Sequence, residues 1–354
     1  MEPQSSTTIA RRLRSLLALA WVLLPTSAPA QPAGVEAIAN YAGADRQRVL
    51  EAGARREGSI LLYTTGTQTR PLLERFQQKY PYLKIELVRA GSTDVARKVL
   101  EEYQAGYEKV DAFELATHGL VVPRDENILQ PFDSPELAAY PRDAIEPKRN
   151  WAVVRESYTG IGLNTKLLAP DKAPKTYADL LDPQWKGRMA LSGSSTTPIN
   201  WVGAMVIIQG VDFVRKLGAQ NIRVYNITGR ALANLMVSGE VMLSPTIYNS
   251  HVAESAGKGA PLAWFSPGLV PVTDSGVAIA RKAPHPHAAM LLIDFLMSKE
   301  GAMLWEQIGY DSPRRDMAAG QLVQKLYLTN RPNFLGEYDN WAKLYQDVFV
   351  RRRP

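Results

Sequence analysis

Residues 59–90, SILLYTTGTQTRPLLERFQQKYPYLKIELVRA, contain the pattern that decides the fold. The runs SILLYTT and KIELVRA at its two ends have the length and residue types of strands. Between them, apolar side chains recur at helical spacing at Leu72, Leu73 and Phe76. Pro71 stands just before them, and proline suits the first turn of a helix. The stretch therefore predicts a strand, a helix and a second strand.

The same alternation continues along the chain. Residues 92–106, STDVARKVLEEYQAG, predict a helix, and residues 110–116, VDAFELA, predict a third strand. Strands joined through helices in this order run parallel, with right-handed crossovers and helices on both faces. After a proline-rich stretch at 131–147, a second set of strand and helix pairs begins with RMALSG and PINWVGAMVIIQG. A long helix over HAAMLLIDFLMSKEGAMLWEQIG follows. We therefore expect two α/β lobes, between which the chain crosses more than once.

The first 30 residues predict a secretory signal peptide. Basic Arg11, Arg12 and Arg14 precede the apolar run LLALAWVLLP, which is short for a membrane span, and APA ends at Ala30 as a cleavage site. The pair Arg11–Arg12 leaves twin-arginine export open, but Arg14 stands where such signals carry an apolar residue, which favours general secretion. We expect a periplasmic protein that does not insert into the membrane after cleavage.

The composition excludes several classes of function. The chain has 45% hydrophobic residues, no cysteine and a formal charge of +6. Such a chain is globular, and it holds neither disulfides nor thiolate metal sites. Part of the charge is the tail at 351–353, and no basic stripe with interleaved aromatics predicts nucleic-acid binding. Gly-x-Ser-x-Gly, His-Glu-x-x-His and Walker-type motifs are absent from the sequence, so we predict that the protein is not an enzyme.

Several motifs together resemble the periplasmic substrate-binding proteins of ABC importers, of the class II type that includes the ferric-iron-binding proteins. The most specific is TYADLLDPQWKGRMALS at 176–192; ILLYTT, VDAFELA, GIGLNTKLL, LANLMVSGEVML and HPHAAMLLIDFLMSKEGAMLW accompany it in order. The resemblance implies a two-lobed α/β fold, each lobe a mostly parallel sheet flanked by helices, with the ligand in the cleft between. It also implies closure on the ligand and delivery to the permease subunits of an ABC importer.

The predicted lobes divide the mature chain unequally. Lobe one comprises residues 31–154 plus 272–354, and lobe two comprises residues 155–271. We expect the protein to be a monomer.

Candidate ligand contacts follow the predicted strand ends, because ligands of such sheets bind beyond the carboxyl ends of strands. The residues at these strand ends are rich in hydroxyls, and the helix N-termini beside them add N–H donors and partial positive charge. The chemistry favours a small anionic or polar organic solute. In the alternative interpretation, the hydroxyls after residue 191 cap a helix and Arg230 is a solvated charge. The candidates are Thr64, Thr65, Gly66, Thr67 and Thr117 in lobe one, and Ser194, Ser195, Thr196, Thr228, Arg230 and Tyr248 in lobe two.

Ferric iron is the alternative ligand. The iron binders that this chain resembles place neighbouring tyrosines after the corresponding lobe-two strand, often with a histidine in the first lobe-one loop. Here Tyr248 is followed by Asn249 and Ser250, and the loop YTTGTQT has no histidine. Glu114 and His118 near the third strand end are the other candidates. We therefore predict no metal or cofactor. The alternative is ferric iron on Tyr248, with a synergistic anion held by residues 194–196.

Overall fold

The computed structural model describes residues 34–66, 69–193, 196–317, 323–331 and 333–351. The predicted signal peptide and the candidates Thr67, Ser194 and Ser195 lie outside these residues. No helix within the described ranges has the length and hydropathy needed to cross a membrane.

The strands form one large mixed sheet, of nine strands in the described part of the chain, and one small sheet. The order in the large sheet is β2-β1-β3-β10-β5-β8; β4 and β11 pair with β10, and β9 pairs with β5. The small sheet pairs β6 with β7. The strands are β1 (Ser59–Thr64), β2 (Lys84–Arg89), β3 (Ala112–Ala116), β4 (Leu129–Gln130), β5 (Ala152–Asn164), β6 (Ala190–Ser192), β7 (Arg223–Tyr225), β8 (Leu243–Tyr248), β9 (Leu262–Phe265), β10 (Leu269–Ala280) and β11 (Gln324–Leu326).

Helices and short helical turns join the strands. The α-helices are α1 (Val35–Ala39), α2 (Arg46–Glu57), α3 (Arg70–Lys79), α4 (Ser92–Gln104), α5 (His118–Asp125), α6 (Thr197–Gln209), α7 (Val211–Gly218), α8 (Gly229–Ser238), α9 (Asn249–Gly257), α10 (Pro286–Met297), α11 (Lys299–Gln307) and α12 (Phe334–Tyr345). Short 3₁₀ turns span Pro135–Ala139, Arg142–Ala144, Pro170–Lys172, Ala178–Leu181 and Pro183–Trp185, and a π-helical turn spans Gln346–Val350.

The first part of the chain folds as its pattern predicts. Strand β1 pairs in parallel with β2 and β3, and α3 and α4 are the crossovers. The α/β fold class is therefore confirmed. The sheet is mixed, however, and not mostly parallel, because β10 runs antiparallel to β3, β5 runs antiparallel to β10, and β8 runs antiparallel to β5.

The predicted long helix near the C-terminus is two helices. Helix α10 ends at Met297, and Ser298 begins α11 by accepting a hydrogen bond from the N–H of Gly301 at 3.1 Å. A Cβ on Gly301 would lie 2.4 Å from the carbonyl oxygen of Phe295, so the chain turns tightly here. The apolar pattern predicts a single helix, but Ser298 interrupts it, because this serine caps the start of the second helix.

Helix α12 packs against α6. A Cβ on Gly203 of α6 would lie 2.3 Å from the indole ring of Trp341 in α12, and Phe349 packs on the buried Trp201 with ring centroids 6.2 Å apart. The lobe boundaries stay a prediction. This contact would assign α12 to lobe two, although the predicted boundary places residues 272–354 in lobe one.

Candidate ligand site

A cavity of about 810 Å³ lies beside β5, β8 and β10. Strand β5 contributes Arg155 and Ser157, which alternate with a residue facing the other side of the sheet. Thr273 of β10 lies opposite Ser157 in the antiparallel register, and so faces the same side. The other lining residues are Arg230, Tyr248, Ser250, His251, Ala253, Glu254, Glu306, Gln307, Ile308, Gly309 and Tyr310.

Arg155 is a fixed positive charge in this cavity. Its Nε donates to Oε1 of Glu114 at 2.8 Å, and its guanidinium lies 4.6 Å from the ring centroid of Tyr310 and 5.5 Å from that of Trp305. Its side chain is 12% exposed. Neither Nη atom has a hydrogen-bond partner among the described residues. Since a guanidinium fork matches the oxygens of carboxylates and phosphates, these Nη donors can hold an anion.

Sequence reasoning missed Arg155. The strand-end rule directs attention to the residues after a strand, whereas Arg155 lies inside β5. A signal was present, because Arg155 interrupts the run WAVVRESYTGIGL, where a central strand of an α/β protein is expected to be apolar.

Tyr248 lies in the cavity, at the end of β8. Its hydroxyl lies 2.6 Å from that of Thr197, in the first turn of α6, and 3.1 Å from that of Thr273. Its ring meets the imidazole of His251 edge-on, with centroids 5.1 Å apart. Burial raises the pKa of Tyr248, so the phenol keeps its proton at neutral pH.

Arg230 also lines the cavity, and its charge, like that of Arg155, has a carboxylate partner. Its guanidinium pairs with the carboxylate of Glu254 in α9 and donates to the backbone oxygen of His251 at 3.3 Å. A cation beside the positive N-terminus of α8 needs such compensation, and Glu254 supplies it. Burial and the charge of Arg230 lower the pKa of His251 to about 4, so this imidazole is neutral.

The four described lobe-one candidates, Thr64, Thr65, Gly66 and Thr117, bond to the protein and are not among the residues that line this cavity. Thr64 is fully buried and donates to Glu114; Gly66 is buried beside it. Thr65 accepts from the N–H of Ala116 at 3.0 Å. The hydroxyl of Thr117, which is 1% exposed, donates to Oδ1 of Asp274 at 2.5 Å and lies 2.8 Å from that of Thr329. As ligand contacts these residues stay a prediction, and what the structure shows is a supporting role for Thr64, which holds the carboxylate that holds Arg155.

The two lobe-two threonines stand in different situations. Thr228 is exposed and caps α8 by accepting from the N–H of Ala231 at 3.2 Å. Thr196 precedes α6 and makes no capping bond through its side chain. The next residue, Thr197, bonds to Tyr248, which brings the N-terminus of α6 to the edge of the cavity.

Among the described residues, no three His, Asp or Glu side chains are grouped so as to hold a metal ion. Oε1 of Glu306 is the one acidic oxygen of the lining that is buried without a hydrogen-bond partner in the described part of the chain. What the cavity offers is a guanidinium whose Nη donors bond to no described residue, with hydroxyls around it, which suits binding of a polar anion.

Solved structures share this fold. Iron-bound HitA from Pseudomonas aeruginosa is 21% identical, with a TM-score of 0.68, over 82% of this chain and 99% of HitA. AfuA from Actinobacillus pleuropneumoniae, with fructose-6-phosphate bound, is 22% identical, with a TM-score of 0.66, over 82% and 98%. The Trichodesmium protein IdiA (FutA), in complex with iron and citrate, is 18% identical, with a TM-score of 0.71, over 82% and 99%. The fold is that of the class II periplasmic binding proteins.

The sequence model of the bacterial extracellular solute-binding proteins matches residues 122–340. The chain belongs to this family, whose members bind solutes for transport and are not enzymes. A search of curated protein sequences finds no significant match. The predicted family is thereby confirmed.

Proposed function

We propose that this protein captures a small anionic organic solute in the cavity beside Arg155 and delivers it to the permease of an ABC importer. The observation that carries the proposal is the guanidinium of Arg155 in the cavity: Glu114 and the Tyr310 ring hold it in place, and its two Nη groups have no hydrogen-bond partner among the described residues. Family membership supports a binding protein that acts outside the cytoplasmic membrane. The predicted signal peptide and a monomeric, periplasmic state belong to the same proposal.

The groups around Arg155 would complete an anion site. Hydroxyls of Ser157, Tyr248, Ser250 and Thr273 line the cavity, and each can donate a hydrogen bond to an oxyanion. The N-terminus of α6 adds partial positive charge at the edge. A charge-assisted bond from a fixed donor loses little entropy on binding, so the arrangement favours affinity.

Calorimetry with a panel of anions tests this proposal. The mature chain is titrated with sulfate, phosphate, citrate, methylphosphonate and fructose 6-phosphate, and native mass spectrometry of protein from the periplasm identifies any retained solute. Arg155→Met, which keeps an apolar stem against Tyr310, is expected to weaken anion binding at least about tenfold, the loss of one charged hydrogen bond. The matched control is Arg215→Met, at an exposed position of α7, and this variant should bind as wild type does. Binding that survives Arg155→Met unchanged would refute the site.

Ferric iron is the second candidate, because Tyr248 is a hard oxygen donor in the cavity. Two observations count against it: the hydroxyl of Tyr248 already bonds to two threonines, and Arg155 lines the cavity with N–H donors, which bind anions and not metal cations. Loading with ferric citrate distinguishes the two functions. The anion proposal predicts no visible tyrosinate-to-iron band, whereas a band that disappears in Tyr248→Phe would establish the iron site.

A further inference from the structure

Three carboxylates lie in a row across the strands behind the cavity. Glu156 of β5 is directly opposite Asp274 of β10. On its other side, Glu156 is opposite Asp311, with backbone N–H···O distances of 2.8 and 3.1 Å between the two residues. Opposite residues of antiparallel strands place their side chains on the same face. We call Asp274, Glu156 and Asp311 the acid row; Glu156 is 1% exposed and Asp274 is 6% exposed.

One lysine faces this row. Nζ of Lys325 lies 2.5 Å from Oε2 of Glu156, and the hydroxyls of Tyr158 and Tyr327 also donate to Glu156. Asp311 accepts from the side-chain amide of Asn249 at 3.1 Å. In the part of the chain that the structure describes, the acid row thus holds three carboxyl groups against one ammonium group, that of Lys325.

Asp274 is the least compensated member of the row. Its Oδ1 accepts from Thr117, which also contacts Thr329, but its Oδ2 is buried and no described residue bonds to it. The charged and titratable groups around it are Glu156, which is paired with Lys325, and Tyr327 on its own face, and Arg155, which is paired with Glu114, on the other face of the sheet. Burial raises the pKa of Asp274 to about 7, and Glu156 adds to that rise. Asp274 is therefore the carboxyl group of the acid row at which we expect a proton to bind.

Arg155 lines the candidate ligand site, and its charge also acts on Asp274. Thr273, which precedes Asp274, and Arg155, which precedes Glu156, line the cavity, whereas Asp274 and Glu156 face the opposite side of the sheet. The Arg155 charge lowers the pKa of Asp274, because it favours the ionised carboxylate. An anion bound to Arg155 would cancel that stabilisation and add its own repulsion. Proton uptake at Asp274 removes the repulsion.

We infer that anion binding at Arg155 is coupled to uptake of a proton by Asp274, so that affinity for the solute rises as the pH falls. The inference rests on the proposed function and adds a regulation of the same site. By linkage, the anion and the proton each strengthen the binding of the other to the same degree.

Sulfate is the probe that tests the coupling, because it keeps its charge between about pH 5.5 and 8.5 and so contributes no titration of its own. Calorimetry at each pH gives Kd, and buffers of different ionisation enthalpy give the protons taken up. The wild-type Kd is expected to rise through neutral pH by up to about tenfold per pH unit, the limit for one proton. Asp274→Asn keeps the acceptor for Thr117 and should give a flat Kd without proton uptake. Asp212→Asn, at an exposed position of α7, is the matched control and should behave as wild type does.

The outcomes separate the inference from the proposed function. If wild type binds sulfate with a Kd that does not change with pH, or if Asp274→Asn keeps the wild-type slope, the coupling is refuted and the anion site stands. If sulfate and the other anions do not bind, the proposed function fails and the coupling with it. Thr117→Val provides a second route if Asp274→Asn does not fold. It removes a hydrogen bond that favours the ionised form, so the midpoint of the Kd profile should move to higher pH.

Discussion

At the scale of single residues, Arg155 shows how the structure assembles a donor that strand-end reasoning overlooks. Thr64 donates to Glu114, and Glu114 accepts from Arg155, so Thr64, a predicted ligand contact, supports the arginine that lines the cavity. The sequence places Thr64 at a strand end, but the face it occupies depends on the pairing of β1 with β3. The position of Tyr248 could be predicted without knowledge of the strand pairing, because it is the last residue of β8 and lines the cavity.

Asp274 gives the residue-scale prediction. Burial raises its pKa to about 7, against about 4 for an aspartate in the unfolded chain. From pH 4 to 7 the unfolded state ionises while the folded state keeps its proton, so the contribution of Asp274 to the free energy of unfolding falls as the pH rises. At about pH 8, Asp274→Asn is expected to be more stable than wild type by about 1–4 kcal/mol, and near about pH 4 the difference should vanish.

Urea unfolding of the ligand-free protein at a series of pH values measures this difference. Asp212→Asn, whose aspartate is 85% exposed, should show no such pH dependence. A stability difference between Asp274→Asn and wild type that is the same at every pH would show that the carboxyl group of Asp274 titrates normally.

At the scale of elements, the strand and helix alternation is readable from the chain because it depends on local apolar spacing. Both α3 and the parallel β1–β3 arrangement follow from it. The antiparallel return of β5 and β10 is a tertiary choice that no local pattern encodes. The break at Ser298 had a local signal, since serine favours the N-cap position, where its hydroxyl accepts a hydrogen bond from an N–H of the first turn.

Two helix starts make a matched pair. Thr228 caps α8, so Thr228→Ala should lower the free energy of unfolding by about 1 kcal/mol and leave anion affinity unchanged. Thr196 makes no capping bond at α6, so Thr196→Ala should cost less than about 0.5 kcal/mol, the range of a surface substitution. If the N-terminus of α6 contacts the solute, Thr196→Ala weakens binding several-fold. Urea unfolding measures the stability of both variants, and sulfate titration measures their affinity. If Thr196→Ala binds sulfate as tightly as Thr228→Ala does, Thr196 is not part of the site.

The docking of α12 on α6 depends on the absence of a side chain at Gly203. Gly203→Ala would place a methyl group 2.3 Å from Trp341, and overpacking of this kind costs about 1–3 kcal/mol. The control is Gly257→Ala at the end of α9, where nothing lies within 4 Å of the added Cβ, so stability should be unchanged or slightly higher. Thermal unfolding measures both. Wild-type stability in Gly203→Ala would mean that α12 is not held against α6 in solution.

At the scale of the whole molecule, the cavity receives side chains from both predicted lobes. Residues 306–310 belong to predicted lobe one, whereas Arg155 and Tyr248 belong to predicted lobe two. A solute that contacts both sets binds best when they approach, so it shifts the molecule toward a closed form. Sulfate at saturation should therefore reduce the radius of gyration measured by small-angle X-ray scattering. Arg155→Met at the same sulfate concentration should keep the radius of the ligand-free protein. An unchanged radius in wild type, with saturation confirmed by calorimetry, would show that this chain binds its solute without closing, and the predicted lobes would then be parts of one rigid body.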